Sequence, residues 1–174
     1  MSEPVYVAVC GPGVASPDEE AAAREVGRLL AESGVVVVCG GMSGVMDSAA
    51  EGARTGGGVA IGILPGPDRA GASPHLTYSF PTGMSEGRNV LVARAADAVI
   101  AISGEFGTLS EIAFALKVGV PVVGLGTWEL SKLGGPVAAF GAAATPAEAV
   151  EAALRLARAH VHGRPAPGGG DPTE

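Results

Sequence analysis

The 174-residue chain has few aromatic side chains, few lysines and no basic run. Aromatic residues make up 4% of the chain and hydrophobic residues 47%, so the core must be built from valine, alanine, leucine and isoleucine. Lys117 and Lys132 are the two lysines, and eighteen acidic residues give a formal net charge of −7. Binding to a nucleic-acid backbone requires many contacts between basic side chains and phosphates. Because this chain is acidic and has no basic run, the sequence predicts no nucleic-acid partner.

Cysteine is also scarce. Cys10 and Cys39 each end an apolar run, which favours buried free thiols in a reducing compartment over the alternatives of a disulfide or a metal pair. No Cys-x-x-Cys occurs, and the three histidines form no ligand cluster with the cysteines. The sequence therefore predicts no metal site and no bound cofactor.

Long apolar segments are missing as well. The first residues lack a basic stretch followed by an apolar one, and no run of eighteen apolar residues occurs. We therefore expect a cytoplasmic protein with no signal peptide and no membrane partner.

Glycine, by contrast, is abundant, with 28 residues clustered at the ends of short apolar runs. Strands are predicted at 5–10, 35–39, 59–64, 98–102 and 120–125, with shorter ones near 76–80 and 137–140. Helices are predicted at about 17–33, 45–55, 84–96, 108–118 and 146–160. Continuous apolar strands that alternate with helices indicate an α/β fold, a doubly wound Rossmann-like parallel sheet with helices on both faces. Residues 1–162 are expected to form a single nucleotide-binding domain, and 163–174 a disordered tail.

Three glycine-rich loops each link a predicted strand to a helix, at 11–13, 40–44 and 104–107. The carboxyl ends of parallel strands meet at one edge of a sheet, where free N–H groups of the following helices suit a phosphate. The alternative is that each loop is simply a tight turn. The candidate phosphate- or ligand-binding residues are Gly11, Gly13, Gly40, Gly41, Ser43, Gly44, Gly104, Glu105, Gly107 and Thr108. Neither G-x-x-x-x-G-K-[ST] nor a complete G-x-G-x-x-G occurs, which argues against a P-loop ATPase and a dinucleotide-dependent dehydrogenase.

The third loop carries a resemblance to a known family. The segment 104–111, Gly-Glu-Phe-Gly-Thr-Leu-Ser-Glu, resembles the P-G-G-x-G-T-x-x-E motif of the Lonely Guy (LOG) proteins, phosphoribohydrolases that release a cytokinin base from its riboside monophosphate. Segment 84–88, Met-Ser-Glu-Gly-Arg, lies where those proteins carry a Met-x-x-Arg segment, and 40–46 matches their second glycine loop. The resemblance covers about residues 5–125.

The resemblance implies that Arg88 and Glu111 are a catalytic pair and that the protein is a homodimer. It points to a branch with Arg-Asn, here Arg88-Asn89, in place of Arg-Lys. That branch includes proteins similar to the molybdenum-cofactor carrier and is distantly similar to a DNA-processing protein domain. Members of the wider group were labelled lysine decarboxylases, but neither lysine of this chain lies in the motifs, so a Schiff-base lysine is not expected.

Several interpretations stay open at this stage. Glu111 follows Thr108 by three residues, so it could instead complete a helix capping box. The motif departs from the family at Ser103, which replaces a proline, and at Glu105, which replaces a glycine. A carboxylate about 4 Å from a bound phosphate costs about 4 kcal/mol at an effective dielectric of 20, so Glu105 either points away, reads a ribose hydroxyl or marks a different ligand.

The leading functional hypothesis is a nucleoside 5′-monophosphate phosphoribohydrolase. The main alternative is a non-catalytic binder or carrier of a nucleotide-like molecule such as molybdenum cofactor. The third hypothesis is a module that serves a protein or DNA partner. The acidic net charge argues against DNA as that partner.

Overall fold

The computed structural model describes residues 4–137 and 140–163. The elements in chain order are β1 (Tyr6–Cys10), α1 (Pro17–Glu32), β2 (Val36–Cys39), α2 (Val45–Thr55), β3 (Ala60–Leu64), β4 (Tyr78–Pro81), a 3-10 turn (Ser85–Arg88), α3 (Asn89–Arg94), β5 (Ala98–Ile102), α4 (Phe106–Lys117), β6 (Val122–Leu125), β7 (Ser131–Lys132), β8 (Gly135–Pro136), β9 (Gly141–Ala143) and α5 (Pro146–Gly163).

Within these residues the main sheet has seven parallel strands in the order β4-β3-β2-β1-β5-β6-β9. Val7 of β1 pairs with Val37 on one side and with Ala98 on the other, so β1 lies at the centre. The chain runs outward from β1 to β4 and then returns to β5 on the other side of β1. The winding direction therefore reverses between β1 and β5, which is the point where ligands bind in such sheets. The predicted doubly wound Rossmann-like fold is confirmed.

The two faces of the sheet carry separate hydrophobic cores. One face packs against α1, α2 and α5 through residues such as Val7 and Val9 of β1. The other packs against α3 and α4 through Ala8 and Cys10 of the same strand. Side chains alternate between the faces along a strand, and both faces are covered, so every residue of β5 is buried. Valine, isoleucine and alanine fill both cores, as the low aromatic content requires.

Local capping at α1 follows the sequence prediction. Ser16 is the N-cap, its hydroxyl accepts from the Glu19 N–H, and the Glu19 carboxylate accepts from the Ser16 N–H at 2.7 Å. At α5, the Thr145 hydroxyl accepts from the Glu148 N–H at 3.3 Å. Cys10 and Cys39 are buried free thiols, as predicted. No helix among the described residues is long and apolar enough to cross a membrane.

The predicted helix over 84–96 is wrong as a single element. Ser85 has a φ of +49° and donates its N–H to the Pro65 carbonyl, so the first turn is a 3-10 turn tied to the end of β3. A regular helix begins only at Asn89 and ends at Arg94.

The alternative in which Thr108 and Glu111 form a capping box does not hold, because Thr108 is not the N-cap of α4. Glu105 is the N-cap of α4, in an extended conformation, and its carbonyl accepts from the Leu109 N–H at 3.0 Å. The helix therefore begins two residues earlier than predicted, and Thr108 and Glu111 are interior residues of it.

The strand ends differ in smaller ways. The strand predicted near 76–80 is β4, displaced toward the carboxyl end. Of the strand predicted at 137–140, residues 138–139 lie outside the described residues, and 137 and 140 are not in a strand. The last strand in the described part of the chain is β9 at Gly141–Ala143. The tail predicted at 163–174 also lies outside them from 164 onward.

Candidate functional site

A crevice opens at the carboxyl ends of the strands, where the winding direction reverses between β1 and β5. Its volume is about 230 Å³. The residues that line it are Gly11, Pro12, Gly13, Met46, Pro65, Ser85, Glu86, Arg88, Asn89, Glu105, Gly107, Thr108 and Glu111. The two predicted catalytic residues therefore lie together in one crevice with parts of the first and third glycine loops. We call this space the main crevice.

Arg88 and Glu111 form the charged floor of the main crevice. Arg88 ends the 3-10 turn before α3, and Glu111 lies in the second turn of α4. Arg88 Nη1 lies 3.5 Å from Glu111 Oε1, and both residues are more than nine-tenths buried. Arg88 Nε is buried and has no hydrogen-bond partner among the described residues. Because buried polar atoms are nearly always paired, this N–H is a donor available to a bound molecule or water.

Burial raises the pKa of Glu111 to about 7, against the lowering effects of the Arg88 charge and of a hydrogen bond with Cys10. A carboxyl group with a pKa near neutrality can both give and accept a proton at neutral pH, which is the requirement for acid–base chemistry. The Cys10 thiol lies under the pair at the end of β1, and burial raises its pKa well above the usual value. The thiol is therefore a neutral neighbour of Glu111 and not a nucleophile.

The amino end of α4 forms one wall of the main crevice. Glu105 is exposed and forms no side-chain capping bond to any residue that the structure covers. The first N–H groups of α4 are thus not engaged by a side-chain cap, and Gly107 brings the backbone to the surface of the crevice. Gly104 has a φ of +122°, and a Cβ there would meet Thr108 at 2.5 Å, so the turn into α4 requires glycine. Thr108 is buried against this turn and lines the crevice; it does not cap the helix.

The second glycine loop supports the main crevice and does not line it. A Cβ on Gly40 would lie 2.4 Å from Arg88 Nη1, so this glycine makes room for the guanidinium. The Ser43 hydroxyl donates to the Gly13 carbonyl at 2.8 Å and holds the first loop in place. Gly41 packs against Leu64, and Gly44 packs against Pro12. None of these four residues lines the main crevice, and a direct contact of this loop with a phosphate stays a prediction.

In the first loop, Gly11 and Gly13 differ in function. A Cβ on Gly11 would meet Val45 at 2.6 Å, so Gly11 lets α2 approach β1. Gly13 is exposed and lines the crevice, as Gly11 does, but a Cβ on Gly13 would meet Ser43 and Met46 only at ordinary contact distances of 3.8 and 3.9 Å.

Sequence reasoning missed several residues of the site. Asn89 donates from Nδ2 to the Ser110 hydroxyl at 2.9 Å, which ties α3 to α4 next to Arg88. Glu86 lines the mouth, so three carboxylates and one arginine are the charged groups among the lining residues described. Cys10, the neighbour of Glu111, could have been identified from its position directly before the first glycine loop.

The fold and this crevice define a class of protein, the Rossmann-like α/β proteins with a ligand crevice at the switch point of the sheet. A family model described as LDcluster4, SLOG cluster4 family, matches residues 4–154. The chain belongs to the SLOG cluster4 family, and the predicted LOG-like assignment is confirmed.

Known proteins are similar to this chain in sequence and in structure. An uncharacterized protein of Archaeoglobus fulgidus is 38% identical over 121 residues, covering 70% of this chain and 80% of that protein. The cytokinin riboside 5′-monophosphate phosphoribohydrolase LOG of Oryza sativa is 38% identical over 95 residues, which are 52% of this chain but 39% of that enzyme. The structure of the Moco (molybdenum cofactor) carrier protein of Chlamydomonas reinhardtii superimposes with a TM-score of 0.80 at 32% identity, covering 90% of this chain and 99% of that protein.

Proposed function

We propose that the chain binds a nucleotide-like, phosphate-bearing molecule in the main crevice and hydrolyses the N-glycosidic bond of a nucleoside 5′-monophosphate. The observation that carries this proposal is the buried Arg88–Glu111 pair, 3.5 Å apart at the floor of the crevice beside the open end of α4. The similarity to the rice LOG enzyme supports it, although the matched segment is less than half of that enzyme.

The phosphate is bound at the amino end of α4. Gly107 and Thr108, in the first turn of α4, line the crevice together with Arg88, so the free N–H groups and the positive end of the helix dipole at this turn are available to a phosphate. Arg88 Nε, which lacks a partner among the described residues, donates to the ligand or to a water held by it. Glu105 points its carboxylate away from the phosphate, toward solvent or a sugar hydroxyl.

Glu111 acts on the sugar. Cleavage of the bond between C1′ and the base nitrogen develops positive charge on the ribose ring, which a carboxylate beneath it stabilises. With a pKa of about 7, Glu111 accepts the proton of the water whose oxygen adds to C1′. The departing base takes up a proton, so one nucleotide and one water give one free base and one ribose 5-phosphate.

A second function, the non-catalytic binding or carriage of a nucleotide-like molecule, is supported by other observations. The Moco carrier protein of C. reinhardtii matches this chain over nearly its whole length, whereas the rice enzyme does not. Ser103 and Glu105 also depart from the glycine motif of the enzymes. In this case the Arg88–Glu111 pair would orient the ligand without turnover.

We also propose that the protein is a cytoplasmic homodimer. Val90, Leu91 and Phe114 of α3 and α4 are only half-buried, although Leu91 and Phe114 also pack against the core, and a second copy would cover the part of them that is exposed. This part of the proposal is tested by the mass of the protein in solution, measured by light scattering.

The experiment for the proposed function incubates purified protein with a panel of nucleoside monophosphates and separates free base by chromatography. Glu111→Gln and Arg88→Ala are the test variants, and Glu151→Gln, an exposed acidic residue on α5, is the matched control. Release of base by the wild type and the control, but not by the test variants, is the expected result. No release from any nucleotide, with thermal stabilisation by one of them, would leave the carrier function.

A further inference from the structure

A second crevice lies at the same edge of the sheet, where β5 and β6 end. It is lined by Ser103, Gly104, Gly126, Thr127 and Trp128 and has a volume of about 280 Å³. The Thr127 hydroxyl donates to the Ser103 carbonyl, which ties the loop after β6 to the loop after β5. The lining residues that the structure describes carry no charged side chain, in contrast to the main crevice.

The two crevices are separated by a single turn of backbone. Gly104 lines the second crevice, and the next residue, Glu105, lines the main one. Both crevices therefore adjoin the amino end of α4. A molecule with its phosphate at that helix end can place another part in either crevice.

Trp128 lines the second crevice and packs with its other side against the core of the sheet, and its ring meets that of Phe106 at the start of α4. Phe106, the first residue of α4, is 76% exposed. Its ring centroid lies 5.7 Å from that of Trp128, with the ring planes at 37°. Trp128 Nε1 is buried and has no hydrogen-bond partner among the described residues. The Phe106 ring is exposed, and the Trp128 indole N–H lacks an acceptor among these residues. A flat molecule with an acceptor group would stack on the ring and accept a hydrogen bond from the N–H.

We propose that the second crevice is a subsite for a neutral bicyclic heteroaromatic ring, with Phe106 as its stacking surface and Trp128 as its hydrogen-bond donor. Purines and pterins share this chemistry: both are flat, uncharged and edged with acceptor nitrogens and oxygens. The neutral lining favours such a ring over a charged group. This inference rests on the proposed function, because it requires the phosphate of the same molecule to lie at the end of α4.

The test uses Trp128, the single tryptophan of the chain, as a fluorescent reporter. The probes are guanosine 5′-monophosphate, a pterin with a side-chain phosphate, and ribose 5-phosphate, which has no ring. Dissociation constants are measured by calorimetry for the wild type, for Phe106→Ala, and for Phe80→Ala. Phe80 is a matched control because it is also an exposed phenylalanine (55%) but lies on β4, at the opposite end of the sheet.

The expected result is that a ring-bearing probe changes the Trp128 emission and binds Phe106→Ala about tenfold or more weakly, while ribose 5-phosphate binds all three proteins equally. The Phe80→Ala protein should match the wild type with every probe. Whichever of the guanine and pterin probes binds more tightly identifies the class of ring.

Equal dissociation constants for Phe106→Ala and the wild type, with unchanged Trp128 emission, would overturn the subsite and leave the phosphate site intact. If the wild type binds none of the three probes, the proposed phosphate site fails as well, and the two failures are thus distinguished.

Discussion

Gly40 and Arg88 are in direct contact at the back of the main crevice. A Cβ at Gly40 would lie 2.4 Å from Nη1 and 2.6 Å from Nη2 of the guanidinium. The second glycine loop thus determines where the arginine lies, and the arginine in turn lies beside Glu111. Gly40 thus acts on a bound ligand indirectly, through Arg88. Substitutions of individual glycines can therefore separate the positioning of Arg88 from direct contact with the ligand.

Substitution of Gly40 by alanine should displace the Arg88 guanidinium, because the new methyl group overlaps both of its terminal nitrogens and the Met46 sulfur. We expect a loss of nucleotide affinity or turnover of about tenfold or more. Gly141→Ala on β9 is the control, since no described atom lies within 4 Å of a Cβ there. Equal activity of the two variants, measured by base release, would show that Gly40 does not position Arg88.

Gly107→Ala should separate stability from binding. Gly107 lies inside α4, where a Cβ meets no described atom within 4 Å, and alanine is favoured over glycine in helices by up to about 1 kcal/mol. Thermal unfolding should therefore show an unchanged or raised midpoint. Calorimetric titration should show weaker nucleotide binding, because the methyl group occupies ligand space. Unchanged affinity would place the phosphate elsewhere.

The pKa of Glu111 predicts a pH dependence of stability. Its pKa is raised from an ordinary value of 4.5 to about 7 in the folded protein, so the folded state binds the proton more tightly than the unfolded state. The stabilisation is complete below pH 4.5 and is lost as the pH rises through 7, by an amount on the order of 3 kcal/mol. Glu111→Gln cannot lose a proton, so its free energy of unfolding relative to wild type should increase between pH 4.5 and 7.5 in urea titrations. A pH-independent difference would refute the raised pKa.

Arg88→Met tests the charge pair from the other side. Without the guanidinium, the Glu111 carboxylate is buried without a counter-charge, and the pKa of Glu111 should rise further above 7. We expect a loss of stability of about 3 kcal/mol at pH 8 and a smaller loss at pH 5, where Glu111 is protonated. Arg94→Met, on the exposed surface of α3, is the control. A loss that is equal at both pH values would mean that Arg88 acts only by packing.

Much of the fold could be predicted from the sequence because the apolar runs are continuous and the glycines mark their ends. The capping box of Ser16 and Glu19 can be predicted because it depends only on residues close together in the sequence. The start of α4 is not predictable in the same way, because its N-cap residue, Glu105, is extended but makes no side-chain capping bond that a sequence pattern would reveal.

The site could be predicted in part. The motifs predict Arg88 and Glu111 as site residues. How deeply the two side chains are buried and how far apart they lie depend on how α3 and α4 cross the sheet. Gly40 and Arg88 are 48 positions apart, so their contact could not be predicted from the sequence. The spacing of the glycines alone led instead to the prediction of a phosphate contact at Gly40. Trp128 and Phe106 meet only because β6 lies next to β5.

The most direct test of the central claim compares the wild type with Glu111→Gln at a saturating concentration of the best nucleoside monophosphate, with binding and base release measured on the same preparations. If Glu111 performs the chemistry, the variant should bind the nucleotide with nearly wild-type affinity but release base at least about 100-fold more slowly. Equal rates of release, or no release by the wild type despite tight binding, would contradict hydrolysis at the Arg88–Glu111 pair.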